Sequence, residues 1–161
     1  GCHSIGQGPG VDKSEVPRAA AGLSGVRVVS VAVGMFHTLA VSKEGAVYSF
    51  GCGARGKLGH GDEVTQHTPR RIESLGGTRI AAVAAGTLHS LALSTAGELY
   101  SFGWGEYGQL GQGDQASQLT PRRIEALRGT PISAVAAGVY HSLAVSGAAF
   151  HSVLLWRWWQ G

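Results

Sequence analysis

Short runs of alternating large and small residues recur along this chain, each closed by glycine. In the run from His89 to Ser94, strand geometry puts His89, Leu91 and Leu93 on one face and Ser90, Ala92 and Ser94 on the other. One face is large and apolar and the other small, as expected of a sheet stacked between two others. The run before it, Arg79 to Ala85, is mostly Ala and Val and predicts a strand whose neighbours approach closely. After it, Thr95-Ala96-Gly97 predicts a hairpin loop with glycine at positive φ, and Lys43-Glu44-Gly45 is its twin. A third strand follows over Glu98 to Phe102. The glycines from Gly103 to Gly113 then predict a folded-back loop and no helix. A fourth strand around Thr120 to Ile124 closes the unit, and Pro121 argues for an edge position.

This pattern repeats without a gap. Gly34 to Ile72 matches Gly86 to Ile124 at an offset of 52 residues, and Gly138 to Ser146 begins a third copy at the same offset. Four antiparallel strands in about 50 residues describe a propeller blade. Residues 26–77 and 78–129 are therefore expected to be complete units, and 130–146 the start of a third. Residues 1–25 read as a decayed or partial unit. There Pro17-Arg18 stands 52 residues before Pro69-Arg70, and Ser4 to Gly8 resembles Gln109 to Gly113 with one residue lost. Residues 147–161 match no part of the unit and are expected to be a mispredicted or out-of-frame end, with a short amphipathic membrane anchor as the alternative. Propellers close with roughly four to eight blades, so the expected object is a fragment of one. The chain starts at Gly1 and not at Met, so its true start is expected to be missing.

Composition narrows the chemistry. The net charge of +3 permits an acidic partner without demanding nucleic acid. Cys2 and Cys52 form neither a disulfide framework nor a metal spacing. No signal peptide is visible, and no apolar run approaches the ~18 residues of a membrane span, which places the expected protein in the cytoplasm or nucleus.

The order Val-Ala-Ala-Gly-x-x-His-Ser-Leu-Ala, then Tyr-Ser-Phe-Gly-x-Gly-x-x-Gly-x-Leu-Gly-x-Gly-Asp, then Pro-Arg-Arg-Ile, resembles the repeat of the regulator of chromosome condensation (RCC1) family. The likeness covers about Val26 to Ser146. It implies an all-β, seven-bladed propeller, of which this chain holds about two complete four-stranded blades plus partial blades at each end. What the family does varies: its founding member is an exchange factor for the small GTPase Ran and binds chromatin. Others are a plant ultraviolet-B receptor and modules attached to ubiquitin-ligase domains. The receptor reading requires closely packed tryptophans, whereas Trp104 is the only tryptophan inside a repeat and its counterpart is Cys52.

His37, His89 and His141, with Gly34, Gly86 and Gly138 three residues before them, recur once per unit and read as scaffolding. A ring nitrogen bonded to a neighbouring turn is the expected role. His89 and Ser90 point to opposite faces of one strand, and no acid is placed to orient the histidines, so no hydrolase is expected. The G-x-G-x-x-G runs at Gly51 and Gly103 lack the helix that a dinucleotide site needs. The doublets Arg70-Arg71 and Arg122-Arg123, and the loop acids Asp62, Glu63 and Asp114, are the candidate partner-binding residues. Asp62 and Asp114 are also explained as turn residues, and the arginines as a solvated face.

The expectation is an RCC1-repeat protein-interaction module with no catalytic site, no cofactor and no metal. A protein partner is expected, and a Ran-like GTPase is the named candidate; chromatin or nucleic acid is a weaker one. The alternatives are an exchange factor for such a GTPase and the substrate-binding part of a HERC-type ubiquitin ligase.

Overall fold

Each unit folds as an antiparallel sheet, in the chain order that the alternation predicts. The structure, a computed structural model, describes residues 6–10, 14–147 and 152–156. The first sheet contains β1 (Val28–Val33), β2 (His37–Ser42), β3 (Val47–Gly51) and β4 (Gln66–Arg71), hydrogen-bonded in that order. The second repeats it as β5 (Ile80–Ala85), β6 (His89–Ser94), β7 (Leu99–Gly103) and β8 (Gln118–Arg123). The third contains β9 (Ile132–Ala137), β10 (Ser142–Ser146) and β11 (Val153–Trp156). Register repeats with the sequence: Val31 faces Ala40, Val83 faces Ala92, and Val135 faces Ala144. Gly45 and Gly97 take positive φ in the β2–β3 and β6–β7 hairpins, as their turn chemistry requires.

The expectation that the unit stops at Ser146 is corrected at β11, the third strand of the third sheet. Val145 faces Val153 and Ser142 faces Trp156, where Leu93 faces Leu99 and Ser90 faces Phe102 one unit earlier. Trp156 thus takes the place of Phe102. The connection is two residues longer than in the second unit, so a 52-residue comparison slides past it. Phe150, Trp158 and Trp159 of the same tail, and Cys2, Ser4 and Ile5 at the other end, lie outside the described residues.

The sheets stack face to face. Leu39, Val41, Val47 and Ile72 of the first meet Ile80, Val83, Ala92 and Phe102 of the second. Leu91, Leu93, Leu99 and Ile124 of the second meet Ile132, Ala144 and Trp156 around the third. The large residues of β2 and β6 therefore point forward and the small ones back, and each such leucine contributes about 1.5–3 kcal/mol by full burial. Glycine lets the sheets converge: a Cβ on Gly86 would lie 2.5 Å from the carbonyl of Gly138 and 2.6 Å from Nδ1 of His89.

Candidate interaction rim

Antiparallel order sends the β1–β2 turn and the β3–β4 loop to the same end of each sheet, and the hairpins to the other. Backbone bonds tie that end together: Cys52 N donates to the carbonyl of Phe36 at 2.8 Å, and Trp104 N to that of Leu88 at 2.9 Å. This rim carries the sequence-predicted acids. Asp62 and Asp114 each accept from a backbone amide two residues on, Val64 and Ala116, at 3.0 Å. The same carboxylates pair with Arg70 and Arg122, both at 3.5 Å. Glu63 is exposed. The second arginine of each doublet behaves differently: Arg123 pairs with Glu98 at 2.8 Å, whereas Arg71 is exposed and has no carboxylate partner among the described residues. Arg70 and Asp62 therefore form one local pair and Arg122 and Asp114 another, and the doublets do not merge into one basic surface.

The histidines hold neighbouring units together, and their partner is a side chain and not the expected turn. His37 Nε2 lies 2.8 Å from Ser90 Oγ of the next unit, and His89 Nε2 lies 2.9 Å from Ser142 Oγ. Ser90 and Ser142 donate to the carbonyls of Lys57 and Gln109, each at 2.8 Å. A hydroxyl has one proton, so each serine accepts from the histidine, and Nε2 carries the hydrogen. Nδ1 of both rings is buried without a partner. Burial, reinforced by the charge of Lys57, pushes His37 down to about 3; burial and His141 push His89 down to about 4. The serine proton is committed to a carbonyl and no carboxylate meets Nδ1, so this contact joins units and is not a nucleophile with its base. His141 is half-buried at the end of the series.

Two features escaped sequence reasoning. One is an aromatic cluster that crosses the second and third units. Trp104 and Tyr107 stack edge-to-face with centroids 4.9 Å apart, and Tyr140 lies 5.0 Å from Tyr107 and 6.0 Å from Trp104. Arg55 of the first unit sits 6.0 Å over the Trp104 ring and pairs with Glu106 at 3.4 Å. The other is Lys57, which is fully buried beside the His37–Ser90 contact and donates to the Ala54 carbonyl at 3.2 Å. Its counterpart Gln109 is equally buried. The signal for both lay in positions where two otherwise matching units differ: Cys52 and Trp104, Arg55 and Tyr107, Lys57 and Gln109. Among the described residues no cluster of three His, Cys, Asp or Glu side chains is arranged to hold a metal ion.

The RCC1 repeat matches residues 44–93 and 96–145, and a second form of the same repeat matches 28–57 and 80–109. The chain belongs to the RCC1 repeat family. It is 39% identical over 135 residues to the ultraviolet-B receptor UVR8 of Arabidopsis thaliana, covering 84% of this chain and 31% of that protein. It is 46% identical over 113 residues to the E3 ubiquitin-protein ligase HERC2 of Homo sapiens, covering 70% of this chain and 2% of that one. Among solved structures, human WBSCR16 superposes with a TM-score of 0.79 at 28% identity, over 91% of this chain and 36% of that chain. Prp20p of Saccharomyces cerevisiae, whose structure is described with its binding to Gsp1p and histones, superposes at 0.66 and 28% identity, over 75% of this chain and 31% of its own. The chain thus spans about a third or less of these relatives, and its fold is that of RCC1 propeller blades. No helix among the described residues is long and apolar enough to cross a membrane.

Proposed function

We propose that these blades belong to a propeller that binds a protein partner through the rim of β1–β2 turns and β3–β4 loops and carries no reaction of its own. The observation that carries this reading is the cluster of Trp104, Tyr107 and Tyr140 beside the Arg55–Glu106 pair, with both tyrosines 45% exposed. Trp, Tyr and Arg are the side chains that most often dominate binding energy at protein interfaces. A partner that covers the rings also desolvates the ion pair at their edge. A cytoplasmic or nuclear location accompanies this reading.

A second reading, the exchange factor for a Ran-like GTPase, draws support from the similarity to Prp20p, which binds Gsp1p. Resemblance to the RCC1 family implies that exchange uses a wedge protruding from one blade, and the two complete units, whose loops have equal length, carry no such insertion. Identity to HERC2 supports the third, a recruiting part of a ubiquitin ligase. Surface plasmon resonance against a Ran-family GTPase and against histones tests the proposal. Tyr140→Ala is expected to weaken binding at least about tenfold, as removal of an interface anchor does. Lys43→Ala, on the opposite hairpin, is expected to leave it unchanged. Equal losses from both variants would remove the rim from the account. Release of labelled GDP in the same assay separates the exchange factor from a binding module.

A further inference from the structure

The fourth strands carry a motif that the binding rim does not use. Thr68-Pro69-Arg70-Arg71 and Thr120-Pro121-Arg122-Arg123 stand 52 residues apart on β4 and β8, the outermost strands of their sheets. Both threonines are exposed, and neither hydroxyl has a hydrogen-bond partner among the described residues. The β3–β4 ladder runs from the Ser49–Arg70 pair to the Gly51–Gln66 pair, so His67, Thr68 and Pro69 bulge past Phe50. Gly8 N bonds the carbonyl of His67 at 3.0 Å and leaves the Thr68 side chain in solvent. A following proline holds the threonine extended. An extended threonine, a residue without an N–H next, and a guanidinium at the third position are the features that a proline-directed protein kinase with an acidic pocket selects.

We propose that Thr68 is a phosphorylation site for a protein kinase of this class, and that Thr120 is a weaker one. In the step, Thr68 Oγ1 attacks the γ-phosphorus of ATP while the bond to the β-phosphate oxygen breaks; the hydroxyl proton passes to the kinase's catalytic carboxylate, leaving phosphothreonine and ADP. The ranking of the two sites comes mainly from one residue, Glu125 making only the longer of the two ion pairs to Arg123, at 3.9 Å. Glu98 holds Arg123 at 2.8 Å and accepts from Tyr100 at 3.2 Å, whereas Ala46 stands at the equivalent position and leaves Arg71 without a carboxylate. Arg71 is thus free to enter the kinase pocket and Arg123 must first leave Glu98. The phosphate also adds negative charge two residues from Arg70 and competes with Asp62 for it, across a pair now 3.5 Å long.

The test treats the folded chain with ATP and a purified Ser/Thr kinase that selects proline after the acceptor and a basic residue two further on. Mass spectrometry follows each threonine with time. Thr68 is expected to react about fivefold faster than Thr120, the scale of one exposed ion pair. Glu98→Ala is expected to raise the Thr120 rate towards that of Thr68, and Ala46→Glu to lower the Thr68 rate, with circular dichroism confirming that each variant is folded. Phosphate that enters only the heat-unfolded chain overturns the proposal, because the strand then does not present its threonine. Equal rates at the two sites, unmoved by Glu98→Ala, overturn the ranking.

Discussion

The glycine-rich loops of the first and second units, 51–61 and 103–113, follow the same path around different side chains. In both, a backbone amide bonds back three residues twice: Gly56 to Gly53 and Gly59 to Gly56 in one, Gly108 to Gly105 and Gly111 to Gly108 in the other. Where they differ, Gln109 accepts from the amide of Tyr107 at 2.9 Å, whereas Lys57 has no acceptor to offer. Next to Lys57 the chain passes through the left-handed region at Arg55, with φ of 64°. Tyr107, its counterpart, is not at positive φ. Contacts between units are thus repeated residue for residue, as the two histidine–serine bonds show, while the rim above them varies. A solenoid-like stack tolerates this because each unit meets its neighbours through the strand faces and not through the loop tips.

The largest test of this division lies at the position behind the loops. Phe102 is fully buried between the first and second units, whereas Phe50 lies against Gly6 of the segment before the first unit. Phe102→Ala is expected to cost about 3–5 kcal/mol in urea unfolding, the range for emptying a packed aromatic site. Phe50→Ala is expected to cost about half as much, because Phe50 lies outside the two cores that join the sheets. Equal costs would mean that residues 6–10 and 14–23 close the first unit as firmly as one blade closes another.

Exchanging the two loop residues comes next in size. Gln109→Lys removes the acceptor for Tyr107 N and places a long cationic chain between units, at an expected cost of about 1–3 kcal/mol. Lys57→Gln restores an acceptor and is expected to stabilise by about 1 kcal/mol, releasing Arg55 from its left-handed conformation. Urea midpoints of both variants measure the difference. A loss of stability in Lys57→Gln contradicts the idea that the second loop is the relaxed form of the first.

Much of this comparison was open to a reader of the sequence and part was closed. Repetition exposed the strands, the hairpin glycines Gly45 and Gly97, and the forward and backward faces of His89 to Ser94, because period and alternation are local properties. The partner of His37 was hidden: Ser90 is 53 residues away, and only the stacking of sheets brings the two together. The strand at Val153 was hidden by a connection two residues longer than its equivalent. The rim cluster was hidden because Trp104, Tyr107 and Tyr140 come from two units and do not recur. Lys57 was hidden by its type, since lysine is a surface residue on average and its burial follows from the glycines that fold the loop over it.

The paired histidines sharpen the comparison at an intermediate scale. His37 and His89 sit at about 3 and about 4 in the folded chain, below the 6.5 of an unfolded histidine. Between those values the unfolded chain binds protons that the folded chain refuses, so stability is full above about pH 6.5 and falls as pH drops. The slope is about 1.4 kcal/mol per pH unit for each histidine until its folded value is reached. Chemical unfolding between pH 7 and 5 measures it. Lys57 lowers His37 and is not among the causes that lower His89. Lys57→Gln is therefore expected to raise His37 towards His89, as followed by NMR of the ring protons, and to leave His89 in place. An unmoved His37 would assign its shift to burial and to His89.

The smallest effect concerns the one carboxylate by which the outer strands differ. Glu98 joins Arg123 and Tyr100 at the surface, with side chains about a third exposed, and Ala46 leaves Arg71 and Tyr48 without that link. Partly exposed pairs contribute about 0.2–1 kcal/mol and weaken with salt. Glu98→Ala is expected to lower stability by about 0.5 kcal/mol, and Ala46→Glu to raise it by a similar amount, with both differences shrinking in 1 M salt. A shift from Ala46→Glu that survives high salt would show that the new side chain acts by packing. The first unit would then have lost more than a charge at this position. A shift that vanishes in salt leaves the two units alike in packing and different only in which arginine is free.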